Sequence, residues 1–181
     1  MLSRARLLLF SRAMGNNRGF SLLELVVVMG VAGVLAAVAI PAMQITLDRN
    51  KVVTSSELVA GQLRQARLAA ITRNTSFLVR FNCPDAGAVR VLAVTGTPAI
   101  DNAGDRCNLN QPNDGPPVYM PQGVTFGGDQ PPTLRVNRRG LFSLVGGGAM
   151  PQTFAVGYSA HTRNVVVTAT GNVRTPQSDA Y

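Results

Sequence analysis

The sequence predicts an α+β protein in which one long amino-terminal helix packs on an antiparallel β-sheet head. Three observations lead to this prediction: an unbroken apolar stretch near the start, an apolar stripe with helical spacing after it, and short valine-rich segments separated by glycine and proline. The chain of 181 residues contains 18 glycines and 11 prolines, and only 6% of its residues are aromatic. Such a composition is typical of a turn-rich β domain and not of a helical bundle.

Residues 1–19 are basic and precede the apolar stretch. They carry four of the 17 basic residues and contain one short apolar run, which is too short for an ordinary secretory signal. The formal net charge of +8 therefore reflects membrane topology more than nucleic-acid binding. We predict that residues 1–19 are a leader whose arginines keep the amino terminus on the cytoplasmic side.

The stretch Phe20–Ile40 is apolar except for Glu24. As a helix its 21 residues would measure about 31 Å, which is roughly the hydrocarbon thickness of a bilayer. We therefore predict a single transmembrane helix over residues 20–41, with the bulk of the chain outside the cytoplasm. Pro41 closes the apolar run and is expected to kink the helix without ending it.

Residues 42–74 are predicted to continue this helix as an amphipathic segment ending near Asn74. Apolar residues recur there at steps of seven, seven, four, three and four, so they fall on one face of a helix, and the charged residues lie off that face. The apolar stripe consists of Ile45, Val52, Val59, Leu63, Ala66 and Ala70.

Residues 75–181 are predicted to form the β-rich head, because short segments rich in valine, leucine and phenylalanine alternate with turn residues. The predicted strands are Ser76–Asn82, Ala88–Thr95, Val118–Phe126, Thr133–Asn137, Leu141–Val145, Thr153–Tyr158 and Asn164–Thr170. The polar stretch Ile100–Pro117 is predicted to be a surface loop.

The two cysteines, Cys83 and Cys107, flank this loop-like region. In an oxidising compartment they would form one disulfide, closing a loop of about 25 residues and contributing roughly 3 kcal/mol on the loop-entropy model. The alternative is that both are unpaired small core residues. Without a CxxC pair and with a single histidine, the chain is not expected to bind a metal or cofactor.

Residues 18–29 combine features that point to proteolytic processing and assembly. A small residue, Gly19, stands before Phe20, and Glu24 follows four residues later inside the apolar helix. An unpaired acid at that depth costs about 2–3 kcal/mol, so Glu24 needs a partner. A cut after Gly19 would give Phe20 a new positive amine, and the amine of an adjacent subunit would offset the charge of Glu24.

The Gly-Phe-Ser-Leu-Leu-Glu stretch resembles the prepilin-peptidase signature of type IV pilins and type II secretion pseudopilins. The resemblance implies cleavage between Gly19 and Phe20, N-methylation of Phe20, and a role in assembly for Glu24. Gly33 and Pro41 match places where family helices loosen on entering a filament. Family leaders are often about six residues long, so translation from Met1 or from Met14 remains open. An ordinary signal anchor with an incidental Glu24 is the alternative.

Three further segments are similar to the GspH/FimT group of minor pseudopilins: Ser56–Asn74, Arg139–Phe142 and Arg163–Arg174. The resemblance implies a minor pilin or pseudopilin of a type IV pilus or a type II secretion pseudopilus. Its partners would be prepilin peptidase, other pilins and the bacterial inner membrane, with the head in the periplasm before assembly into the filament.

Some members of this group bind DNA during uptake and carry Gly-Arg-x-Arg near the carboxy terminus. This sequence has Gly-Asn-Val-Arg at residues 171–174, so the first arginine of that pattern is absent. Arg163 and Arg174, with Arg138 and Arg139, remain candidates for phosphate contact. Aromatic residues that could stack on bases are not interleaved with these arginines, so DNA binding is kept as the alternative hypothesis.

An enzyme is not predicted. His161 is the single histidine, in a turn between two predicted strands, and Ser159 lacks the context of a nucleophile elbow. The carboxylates are scattered through loops, where no pair is set for acid–base work.

Overall fold

The structure is a computed structural model and describes residues 20–128 and 131–176. The predicted leader, both candidate start methionines and Gly19 of the predicted cleavage site lie outside the described residues. The chain divides into two compact units, Met1–Ala42 and Met43–Tyr181, which are described separately below.

Helix α1 spans Leu22–Thr72 and has 51 residues. It continues through Pro41, as the sequence predicted, and its first described backbone bond joins the Leu25 N–H to the Ser21 carbonyl at 3.1 Å. The helix ends where Asn74 takes a left-handed conformation (φ 48°). The Thr75 N–H then bonds to the Ala70 carbonyl, and the Asn74 N–H bonds to the Ile71 carbonyl. These two bonds form a Schellman motif, which satisfies carbonyls that the helix end leaves free.

The second unit contains two antiparallel sheets. The first sheet has the order β3-β2-β1-β5-β6, and the second has the order β4-β7-β8-β9. The elements after α1 are β1 Phe77–Phe81, β2 Ala88–Ala93, α2 Pro98–Asp101, β3 Val118–Tyr119, β4 Thr125–Phe126, β5 Leu134–Val136, β6 Phe142–Leu144, β7 Gln152–Tyr158, β8 His161–Val167 and β9 Val173–Arg174. The predicted α+β class is confirmed.

Three details of the predicted head are wrong. The strands form two sheets instead of one. The stretch predicted as a single strand, Val118–Phe126, is split into β3 and β4, which belong to different sheets. The split occurs because Pro121 and Gly123 (φ 86°) form a turn between them, closed by the Val124 N–H on the Pro121 carbonyl at 3.1 Å. The short strand β9 was not predicted at all.

The core of the second unit joins α1 to both sheets. Phe81 of β1 packs with its ring centroid 5.1 Å from that of Phe126 and 4.7 Å from that of Phe154, so residues of both sheets meet in one cluster. The buried residues of α1 are Val52, Ser55, Ser56, Val59, Ala60, Leu63, Ala66 and Ala70. They include every residue of the predicted stripe except Ile45.

Ile45 is exposed to 53%, so its predicted place in the buried stripe is wrong. The burial of α1 begins at Lys51 and Val52, where the sheets cover it, and almost every residue of 43–50 is exposed. Two polar residues were missed on the buried face. The hydroxyls of Ser55 and Ser56 donate to the carbonyls of Lys51 and Val53, so both satisfy their hydrogen bonding within the helix.

Candidate functional site

The two residues that the sequence singled out lie at the start of α1. Phe20 lies two residues before the helix begins and is 84% exposed. Glu24 is the acidic residue of the first helical turn and is also exposed. A carboxylate is favourable near a helix amino terminus. An amine on Phe20 and a carboxylate on Glu24 would therefore belong to one polar end of an otherwise apolar segment.

The surface of α1 within the first unit is apolar and uncovered. Every described residue from Phe20 to Ala42 is exposed. In the part of the chain that the structure describes, α1 is the one helix long and apolar enough to cross a membrane, with a mean hydropathy of 2.5 over its best 18-residue window. Because exposed apolar surface of this extent is unfavourable in water, the segment requires lipid or another apolar surface around it.

Gly33 and Pro41 both lie within α1. A Cβ placed on Gly33 would meet nothing within 4 Å, and Pro41 has no N–H for the helical bond that its position calls for. Their proposed loosening of the helix stays a prediction.

In the head, Cys83 and Cys107 form a disulfide, with their Cα atoms 5.3 Å apart. Cys83 is fully buried and packs with Leu78 and Leu92 in a small cluster separate from the main core. The bridge attaches the long loop after β2 to the segment that follows β1.

A buried ion pair closes the end of the outer side of β2 that β3 does not reach. The guanidinium of Arg106, which is 0% exposed, lies 2.6 and 2.8 Å from the two carboxylate oxygens of Asp114. Arg106 also donates to the carbonyl of Ala93 at 2.9 Å, and the Ala93 N–H donates to Asp114 at 2.8 Å. The two side chains thus take the place of a neighbouring strand, which protects an edge otherwise open to pairing with another chain.

Hydrogen bonding decides the pKa of Asp114. Burial of the carboxyl raises this pKa, but hydrogen bonds from the Arg106 guanidinium and from the N–H groups of Gln111 and Ala93 outweigh the effect of burial. The pKa of Asp114 therefore lies below its usual value, and the same contact raises the pKa of Arg106.

Two more arginines hold this loop. Arg90 donates through Nε to the carbonyl of Gly115 at 2.9 Å and through its two terminal nitrogens to the Cys107 carbonyl and the Asn110 side chain. Arg80 donates to the carbonyl of Asp101 at 2.7 Å, and its burial lowers its pKa. Sequence reasoning missed this network, although the unusual density of charged residues in a polar loop was a usable signal.

The four arginines considered for DNA contact lie on different elements. Arg138 and Arg139 are exposed in the turn between β5 and β6, and Arg174 is exposed on β9. Arg163 on β8 is half-buried, donates to the carbonyl of Thr175 at 3.1 Å and lies 4.0 Å from Glu57. Arg163 therefore helps to hold the carboxy-terminal segment.

Helix α1 contributes further contacts to the same segment. Arg64 donates to the carbonyl of Val173, and Arg67 donates to that of Gly171, each at 3.3 Å. Thr175 donates to Glu57 at 2.6 Å. Side chains thus bond alternate carbonyls along the outer side of β9, so the edge of the second sheet is closed by arginines, as the edge of β2 is.

Metal-binding side chains are not clustered in residues 20–128 and 131–176. No group of three or more histidine, cysteine, aspartate or glutamate side chains there is placed to hold a metal ion. His161 is half-buried and begins β8, directly opposite Tyr158 in the hairpin, and is not confined to the turn as predicted.

Comparison with known proteins supports the reading of the amino terminus. Residues 14–40 match the family described as the prokaryotic N-terminal methylation motif, a match that includes Phe20 and Glu24. It confirms the prediction that the chain carries a type IV pilin-like amino-terminal segment. No curated protein matches the chain.

Two solved structures are similar to the chain over most of their own length. The type IV minor pilin FimU of Pseudomonas aeruginosa has a TM-score of 0.49 and 15% identity, covering 72% of this chain and 96% of FimU. The minor pseudopilin EpsH from the type 2 secretion system of Vibrio cholerae has a TM-score of 0.47 and 16% identity, covering 70% and 96%.

Proposed function

We propose that this chain is a minor pilin or pseudopilin of the GspH/FimT type, anchored in the bacterial inner membrane and assembled through α1 into a type IV pilus or a type II secretion pseudopilus. One observation carries the proposal: the exposed apolar part of α1, residues 22–41, bears its single charge, Glu24, in the first turn, within a matched N-terminal methylation motif. On this proposal the chain is a structural subunit and not an enzyme.

Maturation would begin at the junction of the leader and the helix. Prepilin peptidase would cut between Gly19 and Phe20 and methylate the new amine of Phe20. The high exposure of Phe20, ahead of the first helical residue, supports access by a membrane protease. The mature chain would then consist of a membrane helix over 20–41, its amphipathic continuation over 42–74 and a periplasmic head over 75–181.

Assembly would exchange lipid for neighbouring helices around the apolar surface of residues 20–41. The amine of Phe20 from one subunit would lie beside Glu24 of the next, which removes the cost of about 2–3 kcal/mol for an unpaired acid in an apolar medium. Gly33 and Pro41 would let the helix loosen as it moves from membrane to filament.

The head fits an oxidising compartment. A disulfide between Cys83 and Cys107 persists outside the reducing cytoplasm, which supports a periplasmic head. DNA binding during uptake is the alternative function, and it is not favoured because Arg163 is engaged with Thr175. The exposed Arg138, Arg139 and Arg174 would be the residues left to contact phosphates.

Intact-mass analysis of the chain purified from membranes tests the proposal. We expect a chain that begins at Phe20 and carries one additional methyl group. A Gly19→Leu variant should keep its leader because the larger side chain blocks the protease, whereas the matched leader variant Gly15→Leu should be cut as in the wild type. A wild-type chain that keeps its leader would contradict the proposal.

A further inference from the structure

Three large aliphatic side chains are exposed together at one place on the head. Leu68 and Ile71 are 62% and 48% exposed on α1, and Leu141 is 42% exposed just after the turn between β5 and β6. Residues three apart lie side by side on a helix. The turn packs directly on Ile71, since a Cβ on Gly140 would lie 2.8 Å from Cδ1 of Ile71. We call Leu68, Ile71 and Leu141 the Leu68 surface.

Three arginines lie beside the Leu68 surface. The side chain of Arg67 lies between the turn that contains Gly140 and the turn that contains Gly171. A Cβ added to Gly140 would lie within 3.1 Å of Arg67, and a Cβ added to Gly171 would lie 2.6 Å from it. Arg138 and Arg139 are exposed at the tip of the turn that contains Gly140, between β5 and β6. Among the described residues the ion pairs join Arg106 to Asp114 and Arg163 to Glu57, so no carboxylate pairs with these three arginines.

We propose that the Leu68 surface and its arginines bind the head of a neighbouring, different pilin-like subunit that presents carboxylates around an apolar patch. The inference rests on the proposed function and names the partner of the head. Burial of the aliphatic side chains supplies the attraction, and arginine–carboxylate pairs fix the orientation. An apolar centre within a charged rim is the usual anatomy of a protein interface.

The composition of the surface favours an acidic protein over other partners. Nucleic acid is held through phosphates and through stacking on aromatic rings, and aliphatic side chains at the centre would gain nothing from either. A second copy of this chain is disfavoured, because residues 43–181 contain 13 basic and 8 acidic residues and two such heads repel one another. A lipid surface would need an apolar face longer than two helical residues.

Site-specific photo-crosslinking from Leu68 tests the inference in the cells that make the full chain. A photoreactive side chain at position 68 should give an adduct with another pilin-like subunit, joined next to an aspartate or glutamate. The same side chain at Tyr119, which is 52% exposed on β3, is the positional control and should not give that adduct.

A charge reversal provides the second arm. Arg139→Glu should lower the Leu68 adduct roughly tenfold, which corresponds to about 1.4 kcal/mol of binding free energy. Arg135→Glu makes the same charge change on the exposed face of β5 and should leave the adduct unchanged. Intact mass, with the disulfide formed, shows that both variants fold.

Several outcomes would overturn the inference: no adduct, an adduct with DNA, lipid or a second copy, or an adduct that Arg139→Glu leaves unchanged. The proposed function is judged separately in the same cells. If the wild-type chain begins at methylated Phe20 and enters filaments while the Leu68 adduct is absent, only the assigned partner of the head is wrong. A chain that is neither trimmed nor incorporated contradicts the proposed function itself.

Discussion

Arg106 and Asp114 form a buried pair that bonds both backbone groups of one β2 residue, the carbonyl and the N–H of Ala93. These side chains copy the bonding of a strand at the end of β2 that β3 does not reach. An edge strand with free backbone groups is a template for unwanted pairing, so this closure protects the sheet.

Low pH should lower the stability of the head because Asp114 becomes protonated. Because the pKa of this carboxyl is lowered in the folded state, its stabilisation is complete above the unfolded value of about 3.9 and is lost as the pH falls through the lower folded value. Thermal unfolding between pH 7 and pH 2.5 should therefore show a steeper loss of stability for the wild type than for Asp114→Asn. Parallel curves for the two proteins would show that Asp114 does not carry this dependence.

Arg106→Met should strongly destabilise the head at neutral pH. It leaves the Asp114 carboxylate buried without its partner, a change that typically costs about 3–5 kcal/mol. The free energy of unfolding in urea measures the effect. Arg135→Met, at an exposed position of β5, is the matched control and should change stability by less than about 0.5 kcal/mol. Equal stabilities of the two variants would contradict a buried pair.

Loss of the disulfide should act mainly on the loop after β2. Replacing Cys83 and Cys107 by serine should lower stability by about 3 kcal/mol on the loop-entropy model, for a sequence separation of 24 residues. Hydrogen exchange should become faster at the Ala93 amide, which depends on Asp114 in the same loop, before it changes in β8. Unchanged protection at Ala93 would show that the bridge does not hold the loop in place.

Gly171→Ala should lower the free energy of unfolding by more than backbone strain alone would. Gly171 has φ 83°, and an added Cβ would lie 2.6 Å from Nε of Arg67, displacing a side chain that bonds to the Gly171 carbonyl. Gly146→Ala is the matched control, since Gly146 has φ 94° and nothing lies within 4 Å of an added Cβ. We expect a difference of about 1–2 kcal/mol in unfolding free energy between the two variants. A smaller loss for Gly171→Ala than for Gly146→Ala would mean that Arg67 moves aside freely.

The helix and most strands could be predicted from the sequence because their signals are local. The apolar periodicity of α1 and the runs of valine, leucine and phenylalanine in β1, β2 and β7 identify these elements from local sequence. The split between β3 and β4 was missed, because both flank a turn within one apolar-looking stretch.

The roles of the arginines could not be predicted in the same way. Arg64 and Val173 are 109 residues apart in sequence and meet only after α1 has packed on the second sheet. A basic residue that closes a sheet edge has the same local pattern as one that faces solvent. Arg163 was therefore read as a candidate for DNA contact, although its structural partner is the carbonyl of Thr175. The disulfide between Cys83 and Cys107 was easier to predict, because two cysteines flanking one loop allow a single pairing.

The central claim is that Glu24 is tolerated in an apolar helix because trimming supplies an amine that a neighbouring subunit places beside it. The amount of Glu24→Gln chain in purified filaments, relative to that in membranes, tests this claim most directly, with Asp85→Asn as the matched control at an exposed position of the head. We predict that Glu24→Gln is trimmed to Phe20 as in the wild type but enters filaments at least tenfold less, while Asp85→Asn enters normally. Incorporation of Glu24→Gln at the wild-type level would contradict the claim.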